Sequence, residues 1–66
     1  MNLIVNGERV TLSDGNTVGT LLAQLELAAV NVAVVVNGHV VAGAERAGRA
    51  LSPGDEIELL TLAGGG

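Results

Sequence analysis

A two-layer α+β domain, one amphipathic helix laid on one β-sheet, is the fold class this sequence predicts. Three observations carry it. Two Asn-Gly steps, Asn6-Gly7 and Asn37-Gly38, each stand between short runs rich in apolar and β-branched residues. One stretch places Val18, Leu21, Leu22 and Leu25 at i, i+3, i+4 and i+7, which is one stripe of a helix. A closing run from Glu56 to Leu62 reads as a strand with Ile57 and Leu59 on one face. A single helix with one apolar stripe covers one apolar sheet face, which defines the two layers.

Taken in order, Asn2 to Val5 reads as a strand and Glu8 to Leu12 as its antiparallel partner across a type I′ turn at Asn6-Gly7. Both central residues of that turn need positive φ, which is why Asn-Gly is the strongest short hairpin signal. Ser13 to Asn16 forms a loop, and Thr17 is placed to cap a helix running to about Leu27. Gly19 inside that helix costs roughly 1 kcal/mol relative to alanine. The β-branched run Val32 to Val36 predicts a buried strand, returning through Asn37-Gly38 to a short strand at His39 to Val41. Ala44 to Ala50 is a weak helical turn or loop, and Ser52-Pro53-Gly54-Asp55 has the residues of a type II turn. With a helix crossing after the first hairpin, the last strand is expected to insert beside the first.

Composition narrows the function. The chain has 66 residues, a formal net charge of −4 and 48% hydrophobic residues, so it forms one small ordered domain. It has no Phe, Tyr or Trp, which removes base stacking, and its acidity opposes a phosphate backbone. Nucleic acid is therefore not an expected partner. Cysteine is absent, so a disulfide, a thiolate metal site and a side-chain persulfide are all excluded. Lysine is absent as well, the basic residues being Arg9, Arg46 and Arg49, which excludes Schiff-base chemistry and lysine-linked self-conjugation. No signal-like segment and no span of bilayer length is visible, so the expectation is a cytoplasmic protein with no membrane partner.

The chemistry is expected at the far end, Ala63-Gly64-Gly65-Gly66. Residues 1–62 form the domain and 63–66 a flexible arm whose tip is the α-carboxylate of Gly66. Glycine has no Cβ, so Gly64 and Gly65 can thread a narrow channel, and the Gly66 carbonyl carbon is unhindered. Ala63 to Gly66 extended spans roughly 13–14 Å, enough to enter a partner's cleft. Taken alone, such a tail is equally compatible with a frayed terminus.

The Asn6-Gly7 hairpin, Thr17-Val18 before Leu21-Leu22, Val32 to Gly38, Pro53-Gly54-Asp55-Glu56-Ile57 and the terminal glycines together resemble the ThiS family of sulfur carriers in thiamine biosynthesis. Where many relatives carry a Val-Pro-Arg-like segment, this chain has Val41-Ala42-Gly43. The resemblance implies a ubiquitin-like β-grasp, a mixed four- to five-stranded sheet packed on one main helix. It also implies that the chain is a protein cosubstrate and no enzyme, with no catalytic residue and no bound cofactor of its own. A ThiF-like, E1-like adenylyltransferase would use ATP and magnesium to activate Gly66. A sulfur donor such as a cysteine desulfurase would supply the sulfur for a thiocarboxylate, and a ThiG-like thiazole synthase would receive it. Sulfur carriage for molybdopterin or for cysteine formation, a ubiquitin-like protein modifier and an inert interaction domain remain alternatives.

If Ile57 and Leu59 face the core, then Leu60 and Leu62 fall on the opposite face. With Ile4, Ala33 and Val35 they are expected to form an uncovered apolar patch that docks partners. Other polar residues take plainer readings. His39 has no second His or Cys to build a metal site and is a solvated strand end. Asp55, Glu56, Glu58 and Glu8 form either a solvated strand edge or a surface for a basic partner. Arg46 and Arg49, near Glu45, serve surface solubility, and Gly7, Gly15, Gly38 and Gly54 are turn residues.

Overall fold

The computed structural model describes residues 1–27 and 31–61. Its elements in chain order are β1 (Asn2–Val5), β2 (Glu8–Thr11), α1 (Val18–Gln24), β3 (Val32–Val36), β4 (His39–Val41), a short 3-10 turn (Gly43–Glu45) and β5 (Glu56–Thr61). The five strands form one sheet in the order β2-β1-β5-β3-β4. The last strand does insert beside the first. β5 runs parallel to β1, with Ile4 opposite Glu56, and antiparallel to β3, with Val34 opposite Leu59.

Both hairpins close as their Asn-Gly steps require. Asn6 and Gly7 have φ of 50° and 81°, and Asn37 and Gly38 have 50° and 84°. The turn into β5 forms as expected too, with Gly54 at φ 87° and the Asp55 N–H donating to the Ser52 carbonyl at 3.1 Å. Inward residues Leu3 and Val5 of β1, Val32, Val34 and Val36 of β3, and Ile57 and Leu59 of β5 pack beneath Val18, Leu21 and Leu22 of the helix. Leu12, Val41 and Leu51 complete a core built wholly from aliphatic side chains.

The helix starts where expected and stops sooner. Thr17 caps it in a reciprocal box: its side chain accepts from the Thr20 N–H, and the Thr20 hydroxyl accepts from the Thr17 N–H. The sequence predicts helix to about Leu27, yet it ends at Gln24. Glu26 takes the left-handed conformation, φ 59°, while Leu27 N–H donates to Leu22 O at 3.0 Å and Glu26 N–H to Ala23 O at 3.1 Å. That pair of bonds is a Schellman ending, usually built on glycine at this position. A glutamate there carries no stop signal, so the periodicity overran. In consequence Leu25, expected in the buried stripe, is 38% exposed at the helix rim.

Gly19 has a packing role. Its N–H donates to Arg46 O at 2.9 Å, and a Cβ at this position would lie 3.4 Å from Ala47 Cα. The helix thus lies directly against the backbone of the loop after β4. No helix among the described residues is long and apolar enough to cross a membrane.

Candidate functional site

β5 is the central strand of the sheet, and its outward side chains are Glu56, Glu58 and Leu60, all exposed. Alternation assigns them there, because Ile57 and Leu59 are taken by the core. Neighbouring strands supply the rest of the face. Ala33 pairs with Leu60 and Val35 with Glu58 across β3, and Val40 of β4 pairs with Val35. Leu60 is 53% exposed and Val40 76%, while Ala33 and Val35 are half-buried. Ala33, Val35, Leu60 and Val40 therefore form one apolar surface that the helix does not reach.

This placement sorts the expected docking residues. Ala33, Val35 and Leu60 come together as anticipated. Ile4 shares the face and is half-buried, but it lies in a different row, opposite Glu56 on one side and Arg9 on the other. Leu62 and the terminal Gly64, Gly65 and Gly66 lie outside the described residues. Val40 was missed from the sequence because a three-residue strand shows too little alternation to identify its outward side chain.

The acidic residues separate in the same way. Glu56 and Glu58 stand on the outer face, but on the central strand, so the reading of a solvated edge is corrected. Asp55 is no surface charge: it is 9% exposed, and its carboxylate accepts from Asn37 Nδ2 at 3.0 Å and from the Ser52 N–H at 2.9 Å. Glu8 pairs opposite Val5, which puts it on the helix side of the sheet. There it borders an open groove of about 440 Å³ lined by Val5, Val10, Leu25, Leu27, Leu59 and Thr61.

Arg46 is likewise more than a solubilising residue. Its Nη2 donates to the Val32 carbonyl at 2.7 Å, tying the loop after β4 to the start of β3. Arg49 donates to the carbonyl of Ala50. His39 is an exposed strand end, as expected. Among the described residues, no group of three or more His, Cys, Asp or Glu side chains is placed to hold a metal ion.

Two asparagines position the strand that leads to the terminus. Asn6 Oδ1 accepts from the Leu59 N–H at 2.8 Å, and its Nδ2 donates to Leu59 O at 3.2 Å. The β1–β5 ladder pairs only as far as Val5 and Ile57, so this amide continues it toward Leu60 and Thr61. On the other flank Asn37 Oδ1 accepts from the Glu56 N–H at 2.9 Å. The sequence offers no signal for either clamp, because an Asn before Gly is already explained by its turn.

A mixed five-stranded sheet, one covering helix and a central last strand define a ubiquitin-like β-grasp domain. The ThiS family model matches residues 3–66. A crystal structure of the thiamine biosynthesis protein ThiS from Geobacter metallireducens is 38% identical, with a TM-score of 0.82 and 100% of both chains covered. An NMR solution structure of a thiamine biosynthesis protein from the same organism is 36% identical, with a TM-score of 0.79, covering 100% of this chain and 88% of that one. No curated protein matches by sequence. The chain belongs to the ThiS family.

Proposed function

We propose that this protein is a sulfur carrier of thiamine biosynthesis that works in the cytoplasm as a cosubstrate of partner enzymes. The observation that carries the reading is the family match running through residues 3–66, which includes the three terminal glycines. The absence of cysteine supports it: a carrier with no thiol has to hold sulfur on a backbone carbonyl carbon.

A carboxylate is a poor electrophile, because its charge and resonance repel a nucleophile. In the proposed scheme a ThiF-like enzyme catalyses attack of a Gly66 carboxylate oxygen on the α-phosphorus of ATP. Pyrophosphate leaves and an acyl adenylate remains. Sulfide then adds at the Gly66 carbonyl carbon and AMP departs, giving the thiocarboxylate that a ThiG-like thiazole synthase consumes. Gly64 and Gly65 give the terminus access, and residues 1–62 serve as the handle. Ordering each tail residue in a cleft costs roughly 1–2 kcal/mol of backbone entropy, which docking of the folded domain offsets. Leu60, Ala33 and Val35, with Val40, are the apolar surface suited to that docking, and Ile4 extends it.

Intact-mass measurement after incubation with an E1-like adenylyltransferase, ATP, magnesium and sulfide tests the scheme. The expected product gains the mass of sulfur replacing oxygen, and deletion of Gly66 abolishes the gain. Covalent addition to a lysine of another protein would instead identify a modifier, and no change with any cognate enzyme would identify an inert domain. Sulfur transfer in the presence of a thiazole synthase separates thiamine from molybdopterin or cysteine formation.

A further inference from the structure

We infer that the partner surface covering the outer sheet face places an arginine or lysine side chain against Glu58; this rests on the docking reading above. Glu58 sits on the central strand directly opposite Val35, and Val35 is followed in the same row by the exposed Val40. The next outward residue along β5 is Leu60, itself beside Ala33. Directly opposed side chains in a sheet lie roughly 5 Å apart. Any surface that excludes water from Leu60, Ala33 and Val35 therefore also covers Glu58.

A carboxylate taken out of water without a countercharge is strongly disfavoured. This chain does not supply one. Among the described residues Glu58 forms no ion pair. Arg9, the cation on this face among those residues, stands on β2, with β1 between it and β5, in the row of Ile4. The countercharge has to come from the partner. A guanidinium fits best, since it pairs with a carboxylate through two parallel hydrogen bonds and stacks over aliphatic neighbours.

A second copy of this chain is a poor occupant of the same face. Two outer faces brought together would juxtapose Glu56 and Glu58 with their counterparts in a protein whose net charge is already −4. Glu58 thus selects for a basic partner and against self-association. The apolar residues around it supply contact area without discriminating.

The test uses the full chain as substrate for the E1-like adenylyltransferase of the same organism, followed by ATP–pyrophosphate exchange at low and high salt. Three variants are compared: Glu58→Gln, Leu60→Asp, and Glu26→Gln, which removes an equal charge from the helix layer. Circular dichroism confirms that each is folded. Glu58→Gln is expected to raise KM for the carrier by roughly 30-fold, to leave kcat unchanged, and to flatten the salt dependence. Glu26→Gln should stay within about threefold of the unsubstituted chain. If Glu58→Gln behaves like Glu26→Gln while Leu60→Asp still raises KM, the countercharge is absent. The inference then falls and the docking face stands. If Leu60→Asp also has no effect, the docking reading fails and the inference falls with it.

Discussion

Asn6 shows how one residue serves two purposes in so small a chain. Its backbone takes the positive φ that the first turn needs, and its amide extends the central pairing by bonding both the N–H and the carbonyl of Leu59. Glycine would satisfy the turn but not the clamp. Asn6→Gly is therefore expected to destabilise the fold by about 1–3 kcal/mol, from the lost hydrogen bonds and the freer unfolded chain. Urea denaturation would measure that loss, and faster exchange of the Leu59 amide would place it at the clamp. A variant as stable as the parent would show that the amide bonds are worth no more than bonds to water. Asp55 teaches the same lesson from the other side. In the sequence it is one more acid near Glu56 and Glu58. In the fold its oxygens are occupied by Asn37 and Ser52, while the two glutamates face out. Position separates Asp55, in the turn, from the two strand glutamates, but nothing in the sequence names its partners, since partnership depends on where the second hairpin returns.

Among the elements, the helix departs furthest from expectation. Its start was legible because Thr17 is a good N-cap set just before the apolar stripe. Its end was not, because Glu26 occupies the left-handed position where glycine gives the recognisable signal. A left-handed conformation costs an ordinary residue about 1–2 kcal/mol. Glu26→Gly should accordingly stabilise the domain by about 1 kcal/mol and raise Tm by roughly 4–8 °C. Thermal unfolding followed by circular dichroism checks it, and an unchanged or lower Tm would mean that the glutamate side chain compensates. The strands matched more closely because each is bounded by a turn with its own chemistry. Both hairpins and the Pro53-Gly54 turn needed only local backbone preferences, and these survived folding intact.

At the scale of the whole molecule, one strand places the core on one face and, on the other, the exposed surface proposed for recognition. Ile57 is 1% exposed beneath the helix, whereas Leu60 is 53% exposed three residues later. Ile57→Ala is expected to cost about 2–5 kcal/mol, a large share of the 5–15 kcal/mol that holds a domain together. Its urea midpoint should fall sharply. Leu60→Asp should leave the midpoint nearly unchanged and lower adenylation at low carrier concentration by at least about tenfold, as loss of an interface anchor does. If Leu60→Asp unfolded the protein, or left adenylation intact, the division of labour between the two faces would be refuted. The central position of β5 gives that division its consequence. The strand that leads to Gly66 is held on both flanks, by β1 with Asn6 and by β3 with Asn37, so docking on its outer face would fix the starting point of the tail.

The sequence by itself determined the two hairpins, the capped helix, the inward and outward sides of β3 and β5, and the family that shares them. These follow from φ preferences, from side-chain periods and from motifs that need no distant partner. Tertiary structure alone decided that Glu56 and Glu58 lie on a central strand. It also buried Asp55 under Asn37, joined Arg46 to Val32, and brought Val40 into line with Val35 and Glu58. Each of those outcomes depends on which segments lie side by side after folding. The strand order that decides this, β2-β1-β5-β3-β4, pairs the first and last strands across nearly the whole chain.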